Sequence, residues 1–306
     1  MIVNWQAPQD DHGRPRIMSS STPEQQPAGR VWLVTGANSG FGQAITEAAL
    51  AAGDTVVAAA RRPEALAESA AAHPERLFPV RLDVTDQERA ATVVAEAVQR
   101  HGRIDVLVNN AGRGLIGAVE EYTDGELRDL MDLHFFGPAA LTRAVLPHMR
   151  AQGSGAVVQM SSMGGRFSFP GVGAYSATKF ALEGLSEALA QEVAGFGIKV
   201  LVVEPGAFRT GFAGGGALAR TTPIEAYEPV VGPVRTGLPD SDGKQPGDPA
   251  KAAAAILAAL DAEPTPLRLA LGSDAVDAVL AHLDGARQEA EAWAEVGRGT
   301  DFPAGA

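Results

Sequence analysis

The 306-residue chain contains no cysteine. This absence excludes disulfide bonds, thiolate metal ligands and a cysteine nucleophile, and it fits a reducing compartment. The sequence also lacks any run of about 18 apolar residues, so no membrane-spanning helix is predicted. Residues 1–30 lack the apolar segment of a signal peptide. We therefore expect a cytoplasmic protein with no membrane partner and no metal site.

Positive charge is scarce as well. Lys and Arg together number 25 against 37 Asp and Glu, which gives a formal net charge of -12. No block of basic residues supplies the surface that would neutralise nucleic-acid phosphates. The charge balance argues against a nucleic-acid partner and leaves a small-molecule substrate as the expected partner.

The beginning of the chain differs in composition from the rest. Residues 1–29 are polar and rich in Pro, Ser and Gln, so they are predicted to form a disordered N-terminal extension. Met1 and Met18 are both candidates for the first residue. Residues 31–300 contain no linker and no internal repeat, and we predict a single domain over residues 30–306.

From Val31 onward, short β-branched runs alternate with longer alanine-rich stretches at helical spacing. The runs are almost continuously apolar, which indicates strands buried on both faces of a parallel sheet. The predicted strands are 31–36, 55–60, 77–84, 105–112, 156–162, 199–206 and 267–272. The predicted helices are 40–52, 63–72, 86–101, 125–150, 173–196, 249–262 and 273–296. This alternation is typical of a three-layer, doubly wound α/β sheet, and the long irregular piece at about 207–248 is expected to be a substrate loop.

The first predicted strand ends in a glycine-rich segment, TGANSGFG, followed by a helix. Gly36, Gly40 and Gly42 permit a tight turn and a close approach of the backbone to a pyrophosphate, while the helix N-terminus supplies N–H donors. Ligands of such sheets bind beyond the carboxyl ends of the strands. The segment therefore predicts a dinucleotide site; the alternative is that its glycines only form a tight strand-to-helix turn.

The end of the second strand bears on the choice between the two nicotinamide cofactors. An NAD site places an acidic residue about 20 positions further on to hold the ribose hydroxyls. This chain has Ala60 there, followed by Arg61 and Arg62. Guanidinium groups bind a 2′-phosphate bidentately, so we predict NADP(H), with NAD(H) as the alternative. The other interpretation is that both arginines only begin a solvated helix.

The third and fourth strands end in further candidate contacts. Asp83 follows strand three, where its oxygens could accept from an adenine amino group or cap the next helix. The segment NNAG, residues 109–112, ends strand four with small residues that leave room for a flat ligand.

The fifth predicted strand ends in Ser161 and Ser162, and AYSATKFAL follows shortly after. Tyr175 and Lys179 are four residues apart on a predicted helix and share one face. A free phenol has a pKa of about 10, and a nearby ammonium group stabilises the phenolate and lowers that pKa. We predict Tyr175 as the general acid/base and the Ser162 hydroxyl as the group that holds a substrate oxygen while charge develops on it.

Together these segments resemble the short-chain dehydrogenase/reductase family, in particular a bacterial branch similar to 17β-hydroxysteroid dehydrogenases. The motifs TGANSGFG, AARRPE, NNAG, MSS, YSATK and EPGAFRTGF lie in order between residues 35 and 212, and GDPAKAA and LRLALGSDAV also resemble that branch. The resemblance implies a Rossmann-type fold with strand order 3-2-1-4-5-6-7 and reversible hydride transfer between NAD(P)(H) and an alcohol or carbonyl. It also implies a homodimer or homotetramer formed through the predicted helices 125–150 and 173–196.

The resemblance further implies roles for individual residues. Ser162 would orient the carbonyl, Tyr175 would exchange the proton, and Lys179 would bind the ribose hydroxyls and depress the phenol pKa. Pro205, Gly206 and Thr210 would lie near the nicotinamide. The residues predicted to bind the cofactor are Thr35, Gly36, Asn38, Ser39, Gly40, Phe41, Gly42, Arg61, Arg62, Asp83, Val84, Asn110, Ala111, Gly112, Tyr175, Lys179, Pro205, Gly206, Phe208 and Thr210.

One position departs from the family pattern. His134 stands three residues before Gly137, where the family has a catalytic asparagine. Pro138 has no N–H, so the carbonyl of His134 loses its helical donor and tends to take up water; the resemblance implies that this carbonyl holds the water linking the lysine to solvent. We predict an active enzyme in which His134 alters the pH response or the pocket shape. His134→Asn should then change activity by less than about tenfold, or about 1.4 kcal/mol of barrier. The alternative is that the histidine only fills space.

The leading functional hypothesis is an NADP(H)-dependent oxidoreductase that interconverts a secondary alcohol and a ketone or aldehyde. Loop aromatics predict an apolar pocket for a bulky hydrophobic substrate, unless they only anchor the loops to the core. These residues are Phe167, Phe169, Phe208, Phe212 and Tyr227. The alternative function is a non-catalytic NADP(H)-binding sensor or regulatory protein, suggested by the missing asparagine. A partial reaction within a biosynthetic pathway gives the same sequence features as the leading hypothesis.

Overall fold

A parallel sheet lies at the centre of the computed structural model, which describes residues 29–214 and 216–302. The predicted disorder of residues 1–29 falls outside this part of the chain except for Gly29. The strands are β1 (Val31–Thr35), β2 (Thr55–Ala60), β3 (Leu77–Arg81), β4 (Val106–Asn109), β5 (Gly114–Ile116), β6 (Gly155–Met160), β7 (Ile198–Pro205), β8 (Leu218–Arg220) and β9 (Arg268–Leu271). The helices are α1 (Gly40–Ala51), α2 (Ala67–Ala72), α3 (Gln87–His101), α4 (Asp124–Met131), α5 (Gly137–Gln152), α6 (Gly173–Val193), α7 (Glu228–Asp240), α8 (Pro249–Asp261), α9 (Ser273–Ala292) and α10 (Ala294–Arg298).

The large sheet has the order β3-β2-β1-β4-β6-β7-β9, and every neighbouring pair is parallel. The short strands β5 and β8 pair with each other in a separate sheet. With these two set aside, the order is the predicted 3-2-1-4-5-6-7, so the predicted fold class is confirmed.

The strands are apolar throughout because helices cover both faces of the sheet. In β1, Trp32 and Val34 belong to the core cluster under α1 and α8, whereas Leu33 belongs to the cluster under α3, α5 and α6. Successive side chains of a strand point to opposite faces. A strand with helices on either side therefore cannot place polar residues on an outer face.

Several predicted strands are too long at their carboxyl ends. β3 ends at Arg81 rather than at residue 84, and β4 ends at Asn109 rather than at residue 112. The residues beyond these ends form loops at the carboxyl edge of the sheet. Small and apolar loop residues continue the composition of the strand, so the sequence pattern does not show where the strand ends.

The helix predicted over 125–150 is divided by a single wide turn. A π-helical turn covers Asp132–Phe136 between α4 and α5, and the Gly137 N–H donates to the carbonyl of Asp132. A Cβ on Gly137 would lie 2.6 Å from the carbonyl oxygen of Val84. The turn thus lies where the helix backbone presses against the loop after β3, and π-turns of this kind are often found at functional sites.

The prediction that 207–248 is irregular is wrong, because this segment contains β8 and α7. We call it the lid. The sequence of α7, EPVVGPVRTGLPD, has three prolines and two glycines, a composition that disfavours a helix. Tertiary contacts hold this helix in place: Val231 is buried against Ile116 and Ala118, and Arg235 pairs with Glu121 at 2.8 Å.

The Glu121 carboxylate fastens the lid to the body of the protein. Its side chain is completely buried and accepts from the N–H groups of Ala118 (2.7 Å) and Ile224 (2.9 Å) and from the Thr221 hydroxyl (2.9 Å). Burial raises the pKa of this carboxyl, but the hydrogen bonds from Ile224, Arg235, Ala118 and Thr221 outweigh it and lower the pKa to about 2. The stabilisation is therefore present above pH 4.5, the ordinary value, and is lost as the pH falls toward 2.

No helix in the described ranges 29–214 and 216–302 is both long enough and apolar enough to cross a membrane.

We predict that Glu121→Gln loosens the lid. A neutral amide forms no ion pair with the Arg235 guanidinium and has one acceptor oxygen instead of two. The loss of a charged hydrogen bond costs about 2 kcal/mol. Hydrogen exchange of α7 amides should become faster, and the melting temperature should fall. Glu192→Gln, at an exposed position near the end of α6 and outside the lid, is the matched control. Equal exchange in the two variants would contradict the role of Glu121.

Candidate active site

A cleft of about 970 Å³ opens at the carboxyl edge of the large sheet, between the loops that follow β1, β2, β3, β4, β6 and β7. It brings together almost all residues predicted for the site. The predicted residues that line it are Gly36, Asn38, Ser39, Gly40, Phe41, Arg61, Arg62, Asp83, Val84, Asn110, Ala111, Gly112, His134, Ser162, Tyr175, Lys179, Pro205, Gly206, Phe208 and Thr210. Thr35 and Gly42 lie behind this surface.

The loop between β1 and α1 has a backbone that requires glycine. Gly36 and Gly40 have φ values of +63° and +53°, and a Cβ on Gly42 would lie 2.2 Å from the Gly36 carbonyl oxygen. The exposed Ser39 stands at the N-terminus of α1 without a side-chain capping bond. Backbone amides at a helix N-terminus, with an uncommitted hydroxyl beside them, fit the pyrophosphate of a dinucleotide.

Thr35 and Asn110 hold this loop against β4. The Thr35 hydroxyl donates to the Val108 carbonyl at 3.1 Å and accepts from the N–H groups of Asn110 (2.9 Å) and Ala111 (3.1 Å). The Asn110 amide donates in turn to the carbonyl of Thr35 at 2.9 Å. Thr35 is buried and fully hydrogen-bonded, so it shapes the cofactor loop from behind and does not line the cleft.

The far end of the cleft carries the predicted adenosine contacts. Arg61 and Arg62 are exposed and both line it. Asp83 accepts from the Thr85 N–H at 3.1 Å and from the Thr85 hydroxyl at 2.8 Å through one oxygen. The cap of α3 is Asp86, which accepts from the Arg89 N–H. The alternative interpretation of Asp83 as the helix cap is therefore wrong.

The other end of the cleft brings together Ser162, Tyr175 and Lys179. The Ser162 hydroxyl accepts from the Gly164 N–H at 3.1 Å, and Tyr175 lies in the first turn of α6. Lys179 follows one turn later, with its Nζ 5.6 Å from the centre of the Tyr175 ring. That Nζ donates to the Met160 carbonyl at 2.7 Å, so the end of β6 holds the ammonium group in place.

Burial dominates the ionisation of both groups. It raises the pKa of the Tyr175 phenol to about 12, although the Ser162 hydroxyl lowers it in part. Burial also lowers the pKa of Lys179 to about 8, against the raising effect of the Glu183 carboxylate. The sequence predicted a lowered phenol pKa. The protein's own groups instead raise the phenol pKa, because the cost of removing the phenolate from water exceeds the stabilisation that the Ser162 hydroxyl provides.

His134 is buried in the π-turn, and both of its ring nitrogens are hydrogen-bonded. Nε2 accepts from the Arg113 N–H at 3.1 Å, and Nδ1 lies 3.0 Å from the Thr178 hydroxyl. That hydroxyl donates its own proton to the Tyr175 carbonyl at 2.7 Å, so Nδ1 carries the hydrogen and the ring is neutral. The histidine thus connects the loop after β4 to the turn of α6 that bears Tyr175.

The surroundings of His134 also affect its protonation. Burial, together with the positive charges of Lys179 and Arg113, places the pKa of His134 well below 6.5. Burial therefore disfavours a charged His134 near neutral pH, and its hydrogen bonds link the loop after β4 to α6. Its effect on activity stays a prediction. Its ring also meets the Tyr175 ring edge-on, with centroids 5.4 Å apart.

The predicted pocket aromatics divide into two groups. Phe169, Phe208 and Phe212 line the cleft. Phe167 packs on His282 with ring centroids 5.6 Å apart, and Tyr227 donates to Glu120 at 2.5 Å, so these two anchor their loops.

Thr178 and the Met160 carbonyl were not predicted as part of the site. The lid residues that line the cleft were not predicted individually either; they are Leu238, Ser241 and Gln245. Thr178 and Met160 act through contacts between distant elements, which leave no pattern in the sequence. The hydrogen bond from the Thr178 hydroxyl to the Tyr175 carbonyl does not mark Thr178 as a site residue in the sequence, because threonines in helices commonly make such bonds.

We predict that His134 makes stability depend on pH. Its folded-state pKa lies below the unfolded value of 6.5, so the unfolded chain binds more protons, and the free energy of unfolding falls as the pH drops below 6.5. His134→Gln should lose part of this dependence, measured by urea unfolding at pH 7.5 and pH 5.0. An unchanged difference between the two pH values would show that His134 is not the group responsible.

Comparisons with known proteins agree with this geometry. Residues 30–216 match the family model described as short chain dehydrogenase. The chain is 42% identical to the oxidoreductase BOA17 of Botryotinia fuckeliana over 81% of this chain and 90% of that protein. It is 62% identical to a crystal structure of a short-chain dehydrogenase from Streptomyces avermitilis, with a TM-score of 0.85 over 90% of this chain and 100% of that one.

A short-chain dehydrogenase from Burkholderia cenocepacia, solved in complex with NADP, is 27% identical with a TM-score of 0.67 over 86% of this chain and 96% of that one. The matched sequence, the parallel sheet and the dinucleotide loop at its carboxyl edge lead to one conclusion: the chain belongs to the short-chain dehydrogenase/reductase family of NAD(P)-dependent oxidoreductases.

Proposed function

We propose that the protein uses NADP(H) to interconvert a secondary alcohol and a ketone or aldehyde on a bulky hydrophobic small molecule. The observation that carries the proposal is the meeting of Ser162, Tyr175 and Lys179 in the same cleft as the glycine-rich loop. Each residue supplies one requirement of carbonyl reduction: a group that orients the oxygen, a proton donor and a cation.

The proposed reaction assigns a task to each side chain. A bound nicotinamide supplies the hydride donor or acceptor and, when oxidised, a positive charge. The Ser162 hydroxyl donates to the substrate oxygen as negative charge develops there, and Tyr175 gives its phenolic proton to that oxygen during reduction. A phenol whose pKa is raised to about 12 by burial is protonated at neutral pH and is ready to donate.

In the direction of oxidation, Tyr175 must accept the proton instead. The positive charge of Lys179 favours the phenolate that this requires, and the Met160 carbonyl keeps the ammonium near the ring. His134 holds the Tyr175 turn in place and takes no proton itself.

NADP(H) is proposed over NAD(H) because of the charge at the adenosine end. Arg61 and Arg62 line the cleft, and β2 ends in Ala60 where an NAD site has a carboxylate. Guanidinium groups suit a 2′-phosphate, whereas the ribose hydroxyls of NAD(H) have no acidic acceptor there.

The substrate end of the cleft is mainly apolar, which supports a bulky hydrophobic substrate. The apolar lining residues there are Leu115, Ile116, Phe169, Val172, Phe212, Leu218 and Leu238. Phe212 lies close to the reacting group, with its ring centroid 5.9 Å from that of Tyr175.

We also propose a homodimer or homotetramer that packs through α5 and α6. Phe136, the last residue of the π-turn before α5, is 44% exposed, and Phe180 of α6 is 47% exposed. Large apolar side chains are therefore presented to solvent next to α5 and on α6. Burial of such side chains on association is favourable.

The test of the function is turnover by Tyr175→Phe across a panel of ketones and alcohols, followed at the nicotinamide absorbance. Loss of the proton donor should lower kcat by about 10²- to 10⁴-fold, while NADPH affinity changes little. Tyr227→Phe is the control, because Tyr227 faces Glu120 outside the cleft. NADPH binding without any Tyr175-dependent turnover would favour a non-catalytic sensor.

We predict that Arg61→Ala combined with Arg62→Ala weakens NADPH binding by at least about tenfold, or about 1.4 kcal/mol. The affinity for NADH should stay within about twofold, because its ribose carries no phosphate. Arg150→Ala, at the exposed end of α5, removes a positive charge outside the cleft and serves as the control. Fluorescence titration of both nucleotides measures the ratio, and equal losses for the two would overturn the cofactor assignment.

A further inference from the structure

A cluster of buried charges lies directly behind Lys179. Lys179 and Glu183 are one turn apart on α6, and each is only 5% exposed. One oxygen of Glu183 accepts from Arg268 Nε at 3.0 Å. Glu204 of β7 is also buried; its oxygen lies 3.5 Å from the same Nε and 3.4 Å from the Arg166 guanidinium. Two buried carboxylates therefore share Arg268.

The second oxygen of Glu183 lies beside Gly165, in the turn that follows β6. Among the described residues, neither this oxygen nor the buried hydroxyl of Ser161 has a hydrogen-bond partner. Both border the same small space beside Gly165, where a Cβ would lie 2.5 Å from the Ser161 hydroxyl and 3.2 Å from this Glu183 oxygen. Glu183 thus directs one oxygen to Arg268 and leaves the other uncompensated toward the strand end that carries Ser162.

The buried Lys179 ammonium needs a negative charge nearby. A buried ammonium is costly unless it is compensated, and the Met160 carbonyl at 2.7 Å offers only a dipole. In the described part of the chain no carboxylate lies within 4.0 Å of Lys179. The neighbouring His134 is neutral, and Tyr175 is neutral below its raised pKa.

We propose that Glu183 is a positioning residue that keeps Lys179 in its charged form, with Arg268 orienting the Glu183 carboxylate. The proposal rests on the function proposed above, in which Lys179 acts as a cation. Lys179 and Glu183 lie on one face of α6 within a low-dielectric interior, where a charge several ångströms away still has a strong effect.

The network also makes the site sensitive to pH. The titratable and charged groups that face Lys179 and Glu183 are Tyr175 and Glu187 of α6, His134 of the π-turn, Arg166 after β6, Glu204 of β7 and Arg268 of β9. Burial lowers the pKa of Lys179 to about 8, and the Glu183 charge opposes this shift. Without that charge the pKa of Lys179 falls further, so the ammonium is lost at a lower pH.

The experiment is the pH profile of kcat/KM for carbonyl reduction by Glu183→Gln with NADPH. Activity should fall at high pH as Lys179 loses its proton, and in the variant this basic limb should move to lower pH by at least half a pH unit. Glu187→Gln is the matched control, since Glu187 pairs with the same Arg268 from the exposed next turn of α6; its basic limb should not move. Glu183→Asp, which keeps the charge, should leave the basic limb close to its position in the parent.

A second readout does not depend on turnover. NADPH affinity is measured by nicotinamide fluorescence between pH 6 and 9. Because Lys179 is a predicted cofactor contact, the affinity should fall as the pH rises and Lys179 loses its proton. In Glu183→Gln this fall should begin at a lower pH than in the parent. If the parent reduces no carbonyl, the proposed function fails while this titration still tests Glu183. An unshifted titration in a folded Glu183→Gln protein would overturn the inference.

Folding is checked by thermal unfolding of each variant. If Glu183→Gln does not fold because Arg268 loses one of its two buried partners, the double variant Glu183→Gln, Arg268→Gln removes both charges together. Compared with Arg268→Gln alone, it should show a shift to lower pH, because that comparison isolates the Glu183 charge. An equal shift in Glu187→Gln, or none in the double variant, would show that Glu183 does not control the charge of Lys179.

Discussion

The hydroxyl of Thr35 ties the first strand to the fourth at the place where the sheet changes its winding direction. β1 lies between β2 and β4, so the loops after β1 and β4 diverge and leave a gap for a ligand. The hydroxyl makes three hydrogen bonds across this gap, and the Asn110 side chain adds two more to the carbonyls of Thr35 and Gly36. The glycine-rich loop keeps its shape because these bonds fix both of its walls.

Features decided by local spacing could be predicted from the sequence. The glycines at 36, 40 and 42 follow a strand directly, and Tyr175 and Lys179 are separated by one helical turn; both relations hold within a few residues of chain. The strands could be recognised because burial on both faces gives them continuous apolar runs. Their order, in contrast, followed from the family resemblance, because no local pattern records which strands pair.

Features decided by contacts between distant residues could not be predicted. α7 is helical in spite of three prolines because Arg235 reaches Glu121 across the lid. His134 owes its tautomer to Arg113 on one side and Thr178 on the other. The direction in which the Tyr175 pKa shifts depends on how deeply the phenol is buried, and residue spacing along a helix does not reveal burial. The predicted cytoplasmic location, homo-oligomeric state and single-domain boundary remain predictions.

The close contact of Gly137 with the Val84 carbonyl joins the two ends of the cleft mechanically. Val84 lines the cofactor side, and the π-turn that ends at Gly137 carries His134 to the catalytic side. A side chain at residue 137 would push the helix away from the loop after β3 and pull the histidine out of reach of Thr178. A substitution at residue 137 alone would therefore disturb both ends of the cleft together.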